Sequence, residues 1–311
     1  MFKVPNSLPS KYASVEEFTD FIECECVQKE RIAVRDVLKP LLVLNDEVII
    51  DGIEDESDLL INKIDDVLTE IDRRIKASNK KYPFIVKNKG YTLEISDKNI
   101  YYWIYSYLLF STRLDMRKNK TFFNIDGTEI LEHLSSLIAK EYFGQRAESV
   151  VFGTAGDIKI FEDRVNFVCK STGEGHSFLN RNNSPIKAQD DKLDIVAWKN
   201  FSDGNRSKMI GFGQCKTGTS WDDQETIELQ PDDFCDKWMR DTPIHSPLKM
   251  FFSSQYLPLD LYTKAKNAGI IFDRFRILDF LPELISKDLA DIIIKWTSGA
   301  IEFSLETVKK A

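Results

Sequence analysis

The chain has 311 residues, of which 42% are hydrophobic, and this is enough for two domains that each bury a core. Such a composition excludes a disordered or fibrous protein. The formal charge of −8 comes entirely from residues 1–76, which carry 18 acidic and 10 basic side chains. Residues 166–220 hold eight basic and five acidic side chains. Because phosphate binding depends on such local basic excess, the overall acidity does not exclude a nucleic-acid partner.

Cysteine usage and hydropathy indicate a cytoplasmic protein. The five cysteines are odd in number and form no paired CxxC motif, which favours reduced thiols over a zinc site or a disulfide framework. The first residues lack the apolar core of a signal peptide, and no run of about 18 apolar residues is present to span a bilayer. We therefore expect no membrane segment.

Helical spacing of apolar residues dominates the N-terminal part of the sequence. It predicts an amphipathic helix from about residue 14, a second over 60–75 and an aromatic-rich helix from Ile100. Residues 83–95 contain two short apolar runs around an Asn-Lys-Gly turn and predict a hairpin. This region is therefore expected to be mostly helical.

The polar and basic segment 115–120 separates this region from a different order of elements, so we place a domain boundary there. Residues 1–118 are predicted to form an acidic, mostly helical domain, and residues 119–311 a second domain. Helices and strands alternate in the second domain, which predicts an α/β fold around one mixed sheet. The predicted helices are 128–142, 158–168, 231–239, 259–266 and 287–296, and the predicted strands are 149–152, 193–198, 209–216, 248–253 and 270–272.

Two adjacent predicted strands carry residues suited to metal-assisted phosphodiester cleavage. Asp194 lies on the first strand, and Gln214 and Lys216 lie on the second, after a turn at 202–205. Side chains alternate along a strand, so Gln214 and Lys216 face the same side while Cys215 is turned the other way. The Cys215 backbone carbonyl remains a candidate metal ligand. Hard divalent ions prefer oxygen ligands of this kind.

A helix followed by two strands that carry Asp and then Gln-x-Lys resembles the PD-(D/E)XK nuclease superfamily. The chain looks like the QxK variant found among type IV restriction enzymes and bacterial antiphage effectors, and the resemblance covers about residues 122–280. It implies a restriction-endonuclease-like fold, in which a mixed sheet is flanked by helices.

The resemblance also implies roles for individual residues. Asp194 and Glu132 would bind Mg²⁺, for which Mn²⁺ is a substitute, and Gln214 would offer its side-chain oxygen. Lys216 would orient the attacking water or stabilise charge on the phosphate. Glu129, one helical turn before Glu132, is the alternative helix ligand.

Two departures from the superfamily pattern leave alternatives open. No proline precedes the acid, and a neutral Gln stands where Glu is usual, so weaker binding of a single metal ion is one hypothesis, with Asp190 or Asp191 compensating. The same residues also fit an ordinary hairpin with polar surface side chains. Arg274 and Arg276 are candidates for phosphate contacts, or more simply for salt bridges across the edge of the sheet.

The preferred interpretation is a Mg²⁺-dependent endonuclease acting on DNA, as an effector in bacterial antiphage defence or restriction. The rival interpretations are a non-catalytic nuclease-fold protein that binds DNA or a protein partner, and an RNA nuclease. The acidity of residues 1–76 leads us to expect that the N-terminal domain docks a partner such as an ATPase or a sensor. Homo-oligomer formation is left open.

Overall fold

The structure is a computed structural model that describes residues 2–43, 56–88, 92–153, 155–183, 191–219, 227–257 and 266–308. Within these ranges the fold is mixed α/β, as the sequence predicts. The α-helices are α1 (Val15–Lys29), α2 (Val34–Val43), α3 (Glu56–Ala77), α4 (Ile100–Arg113), α5 (Gly127–Phe143), α6 (Phe161–Thr172), α7 (Pro231–Trp238), α8 (Arg274–Asp279) and α9 (Lys287–Val308). The strands are β1 (Arg31–Ala33), β2 (Phe84–Lys87), β3 (Thr92–Ile95), β4 (Thr121–Phe122), β5 (Ile125–Asp126), β6 (Ala147–Val151), β7 (Ile195–Lys199), β8 (Ile210–Lys216), β9 (Leu248–Ser253) and β10 (Ile270–Phe272).

The chain forms two compact units. The first, here called the N-terminal unit, comprises Met1–Gly127, Arg274–Asp279 and Ala290–Ala311, so two segments from late in the chain belong to it. The second, here called the sheet unit, comprises Thr128–Asp273 and Phe280–Leu289. The domain limits drawn from the sequence, at residues 118 and 119, stay a prediction.

The N-terminal unit combines helices with a three-stranded antiparallel sheet in the order β1-β3-β2. Helix α1 begins where the Ser14 side chain accepts a hydrogen bond from the Glu17 N–H, and it ends at Glu30, which has a φ of 64°. The predicted hairpin is confirmed, with β2 and β3 paired from Phe84 opposite Ile95. No helix in the described ranges has both the length and the apolar character needed to cross a membrane.

A fully buried network of charges holds the N-terminal unit together. The Asp20 carboxylate accepts hydrogen bonds from Arg74, Arg113 and Arg274, at 2.7 to 3.2 Å. Arg74 also donates to Glu23 at 2.8 Å. These five residues are at most 4% exposed. Because unpaired charges are costly in a protein interior, this network ties α1 to the helices that supply the arginines.

The sheet unit is built on one mixed five-stranded sheet, in the order β10-β9-β8-β7-β6. Strands β6, β7 and β8 form an antiparallel meander, whereas β9 and β10 run parallel to β8. The meander thus places β7 between the end of β6 and the long strand β8. This arrangement positions the candidate site.

The two faces of β8 have different environments. Ile210 and Phe212 pack into a buried aromatic cluster with Phe234 and Trp238. On the other face, a Cβ at Gly213 would lie 2.5 Å from Ile195 Cγ1. The absence of a side chain at Gly213 therefore allows the Ile195 side chain of β7 to pack directly against β8.

Several boundaries differ from the sequence predictions. The last helix, α9, continues to Val308 instead of ending at residue 296, because its apolar face continues to be buried. Strand β7 begins at Ile195, which leaves Asp194 just before the strand. Most of the predicted helix 259–266 lies outside the described residues.

Candidate active site

Asp194 is fixed by hydrogen bonds to two strands of the sheet. Its N–H donates to the Gly213 carbonyl at 2.9 Å, and its own carbonyl accepts from the N–H groups of Phe152 and Gly153 at 2.7 and 2.8 Å. Its carboxylate oxygen Oδ2 accepts from the Cys215 N–H at 2.6 Å. Backbone and side chain are therefore both held in place at the start of β7.

Glu132 reaches the same place from α5. It is 8% exposed, and its Oε2 accepts a hydrogen bond from the Ala155 N–H at 3.3 Å. A Cβ added to Gly153 would lie less than 3.0 Å from Glu132 Oε2 and 3.3 Å from Asp194 Oδ1. The two carboxylate oxygens can be no farther apart than the sum of these distances. The structure thus brings Glu132 and Asp194 together, with Gly153 between them.

The end of β8 supplies the backbone side of the site. Pairing with β7 stops at Gly213 opposite Ile195, while pairing with β9 continues to Lys216. The Cys215 N–H points toward Asp194. Because the N–H and C=O groups of one strand residue project to the same side, the Cys215 carbonyl also faces the Asp194 side. Burial and the charge of Asp194 raise the pKa of the Cys215 thiol well above its ordinary value, so the thiol is neutral.

Gln214 and Lys216 meet at a carboxylate that the sequence analysis did not identify. The Gln214 amide Nε2 donates to Glu228 Oε2 at 2.9 Å, and Lys216 Nζ lies 3.2 Å from the same oxygen. Gln214 is 1% exposed. Its Oε1 is buried and has no hydrogen-bond partner among the residues that the structure describes. A buried oxygen without a hydrogen-bond donor is able to accept a hydrogen bond or to coordinate an ion.

Glu228 is held in its charged form by its neighbours. Its other oxygen, Oε1, lies 3.2 Å from Lys192 Nζ. Burial by itself would raise the pKa of the Glu228 carboxyl, but the hydrogen bonds from Lys216, Gln214 and Lys192 outweigh it and lower this pKa. The carboxylate thus remains negative at neutral pH.

Other residues proposed from the sequence lie elsewhere. Glu129 is exposed, so Glu132 is the helix acid that meets Asp194. The Asp191 carboxylate accepts hydrogen bonds from Lys237 and Trp238 Nε1, and Asp190 lies outside the described residues. Arg274 forms a buried salt bridge, but with Asp20 of α1 and not across the edge of a sheet.

The site offers a hard divalent ion two carboxylates and additional neutral oxygens. In the described ranges, no three or more His, Cys, Asp and Glu side chains are grouped to hold a metal ion. A metal ion here would therefore need amide or carbonyl oxygens besides Glu132 and Asp194. The unpartnered Gln214 Oε1 and the Cys215 carbonyl are oxygens of that type, and a set made only of oxygens suits Mg²⁺.

Two features of the site had little signal in the sequence. Glu228 follows Gln214 by 14 residues in a connection with no periodic pattern, and its nearest marker is Pro231 at the start of α7. Gly153 follows the end of β6, where a lone glycine indicates close approach of another group. The chain was compared with protein-family models, with curated proteins and with solved structures, and nothing matched in any of the three comparisons.

Proposed function

We propose that the sheet unit is a metal-dependent nuclease of the PD-(D/E)XK type that hydrolyses phosphodiester bonds of DNA. The proposal rests on one observation: the Glu132 and Asp194 carboxylates come together beside Gly153, close to the C-terminal end of β8, where Lys216 lies. The Glu132 carboxylate is buried and the Asp194 carboxylate is half-buried. Two carboxylates that approach so closely repel each other, and a bound cation would relieve that repulsion.

Each residue has a role in this proposal. Glu132 and Asp194 hold the ion, and Gln214 and the Cys215 carbonyl add neutral oxygens. When bound, a divalent ion neutralises phosphate charge and makes water a stronger nucleophile. Lys216, whose side chain is 23% exposed, is accessible to a phosphate and stabilises the negative charge that develops there. A role in restriction or antiphage defence belongs to the same proposal and follows from the resemblance alone.

Incubation of the purified protein with supercoiled plasmid tests the proposal directly. We expect nicking with Mg²⁺ or Mn²⁺, loss of nicking with EDTA, and a decrease of about 100-fold or more in Lys216→Ala, since removing one group that stabilises transition-state charge has an effect of that order. Lys170→Ala, which changes an exposed lysine of α6, is the matched control. Equal nicking by wild type and Lys216→Ala would show that this site does not carry the activity. Parallel incubation with single-stranded RNA distinguishes an RNA nuclease.

A further inference from the structure

Glu228 contacts both side chains of the Gln-x-Lys pair through a single oxygen. Its Oε2 lies 2.9 Å from Gln214 Nε2 and 3.2 Å from Lys216 Nζ. These two residues share one face of β8 because they are two positions apart on the strand. A carboxylate placed over that face therefore holds both of them at once, while Oε1 is held by Lys192.

This contact decides which way the Gln214 amide points. A carboxylate only accepts hydrogen bonds, so the group facing Glu228 must be the NH₂ end of the amide. The carbonyl end, Oε1, is consequently turned away from Glu228, and it is the buried atom that lacks a partner in the described part of the chain. Without Glu228, the hydrogen bond that fixes the orientation of the Gln214 amide would be lost, and its oxygen would no longer be held in that position.

The same contact replaces a charge that the Gln-x-Lys pair lacks. Where Glu stands in place of Gln, a carboxylate lies on the strand itself, two residues before the lysine. In this chain the carboxylate comes from Glu228, which is paired with Lys216. A second carboxylate at position 214 would lie against Glu228 at hydrogen-bonding distance, and two like charges so close would repel each other.

We propose that Glu228 is a positioning residue of the site, which presents the Gln214 oxygen for metal binding and keeps Lys216 beside it. This inference rests on the proposed nuclease function. It predicts that Gln214 and Glu228 form a matched pair, in which a hydrogen-bond donor must face a carboxylate. Either partner can supply the carboxylate, provided the other supplies the amide.

Four variants of the full chain test the matched pair: Glu228→Ala, Gln214→Glu, the double substitution Gln214→Glu with Glu228→Gln, and the control Asp236→Ala. Asp236 is an exposed acid of α7, so its removal matches the charge change of Glu228→Ala. Plasmid nicking is measured over a range of Mg²⁺ concentrations, and thermal unfolding shows whether each variant is folded. Glu228→Ala and Gln214→Glu should each lower activity or apparent Mg²⁺ affinity by about 10- to 100-fold, as is typical for residues that orient metal ligands.

The double substitution is the decisive measurement. It should recover most of what Gln214→Glu loses, whereas Asp236→Ala should behave like wild type. The inference is overturned if Glu228→Ala matches Asp236→Ala, or if the double substitution is no more active than Gln214→Glu.

A second readout does not depend on activity. In protein labelled with ¹⁵N-glutamine, the Gln214 side-chain amide signals, assigned with Gln214→Ala, should move in Glu228→Ala and stay in place in Asp236→Ala. Unmoved signals would overturn the contact. An inactive wild type with signals that respond to Glu228→Ala would instead reject the nuclease function while retaining the contact.

Discussion

At the scale of single residues, Gly153 is the position on which the geometry of the two carboxylates depends. Its missing side chain leaves the space into which Glu132 Oε2 extends, with Asp194 Oδ1 close by. The glycine is thus required by close approach of a side chain and not by an unusual backbone angle. An acid pair that meets over a glycine is sensitive to the smallest substitution there.

Gly153→Ala should therefore lower nicking activity strongly with little loss of stability. The new methyl group must displace Glu132, and displacement of a catalytic group by about 1 Å can cost about 100-fold in rate. Gly204→Ala is the control for activity: a Cβ there meets nothing within 4 Å, but the φ of 69° makes the backbone strained, so this variant should lose some stability and keep its activity. Plasmid nicking and thermal unfolding are measured on both variants. Full activity in Gly153→Ala would mean that Glu132 does not act at this position.

At the scale of helices and strands, the long regular elements could be predicted from the sequence, whereas some others, such as β1 and α2, could not. Helix α3 has five apolar residues at helical spacing, and its 22 residues leave little ambiguity. Strand β1 has three residues, too few for a period to be visible, and helix α2 contains Pro40, which argues against a helix. Tertiary packing decides such elements.

The candidate site could likewise be predicted only in part. Asp194, Gln214 and Lys216 could be found because a hairpin has a local pattern, and Glu132 because α5 is amphipathic. Glu228 could not be found, since it lies in neither a helix nor a strand and only the folded chain brings its carboxylate to Gln214 and Lys216.

The close pairing of β7 and β8 gives a prediction at this scale. In Gly213→Ala the added Cβ would lie 2.5 Å from Ile195 Cγ1, so we expect a loss of about 1–3 kcal/mol in the free energy of unfolding from overpacking. Ile195→Ala removes the atom that clashes. Urea unfolding of both single variants and the double variant should show that the double variant loses less than the sum of the two, by about 0.5–3 kcal/mol. Strictly additive losses would contradict this packing.

At the scale of the whole molecule, the charge of the sequence is not the charge of its surface. Residues 1–76 carry the full −8, yet Asp20, Glu23 and Glu70 from this segment are buried. Asp20 is compensated partly by Arg113 and Arg274, which lie outside residues 1–76. The N-terminal unit therefore exposes less acidity than the sequence indicates. Docking of an ATPase or a sensor by this unit stays a prediction. Only acidic side chains on the surface can contribute to such docking, because the buried ones are already paired with arginines.

Asp20→Asn tests whether this network is what stabilises the N-terminal unit. Burial by itself would raise the pKa of Asp20, but the nearby arginines, Arg113 first, hold it well below its ordinary value. A carboxyl whose pKa is lower in the folded state contributes stability above its unfolded pKa of about 3.9, and this contribution is lost as the pH falls. At pH 7, Asp20→Asn should cost about 3–5 kcal/mol, since it leaves buried arginines without their shared partner.

The cost of Asp20→Asn should become smaller as the pH is lowered below about 4. In that range Asp20 of the wild type becomes protonated in the unfolded chain but stays ionised in the folded protein, which stabilises the unfolded chain. Denaturant unfolding of wild type and variant at a series of pH values measures this difference. Asp36→Asn, at an exposed acid of α2, provides the control and should change stability by less than about 0.5 kcal/mol at every pH. A difference between wild type and Asp20→Asn that stays constant with pH would mean that the residue contributes through packing and not through its charge.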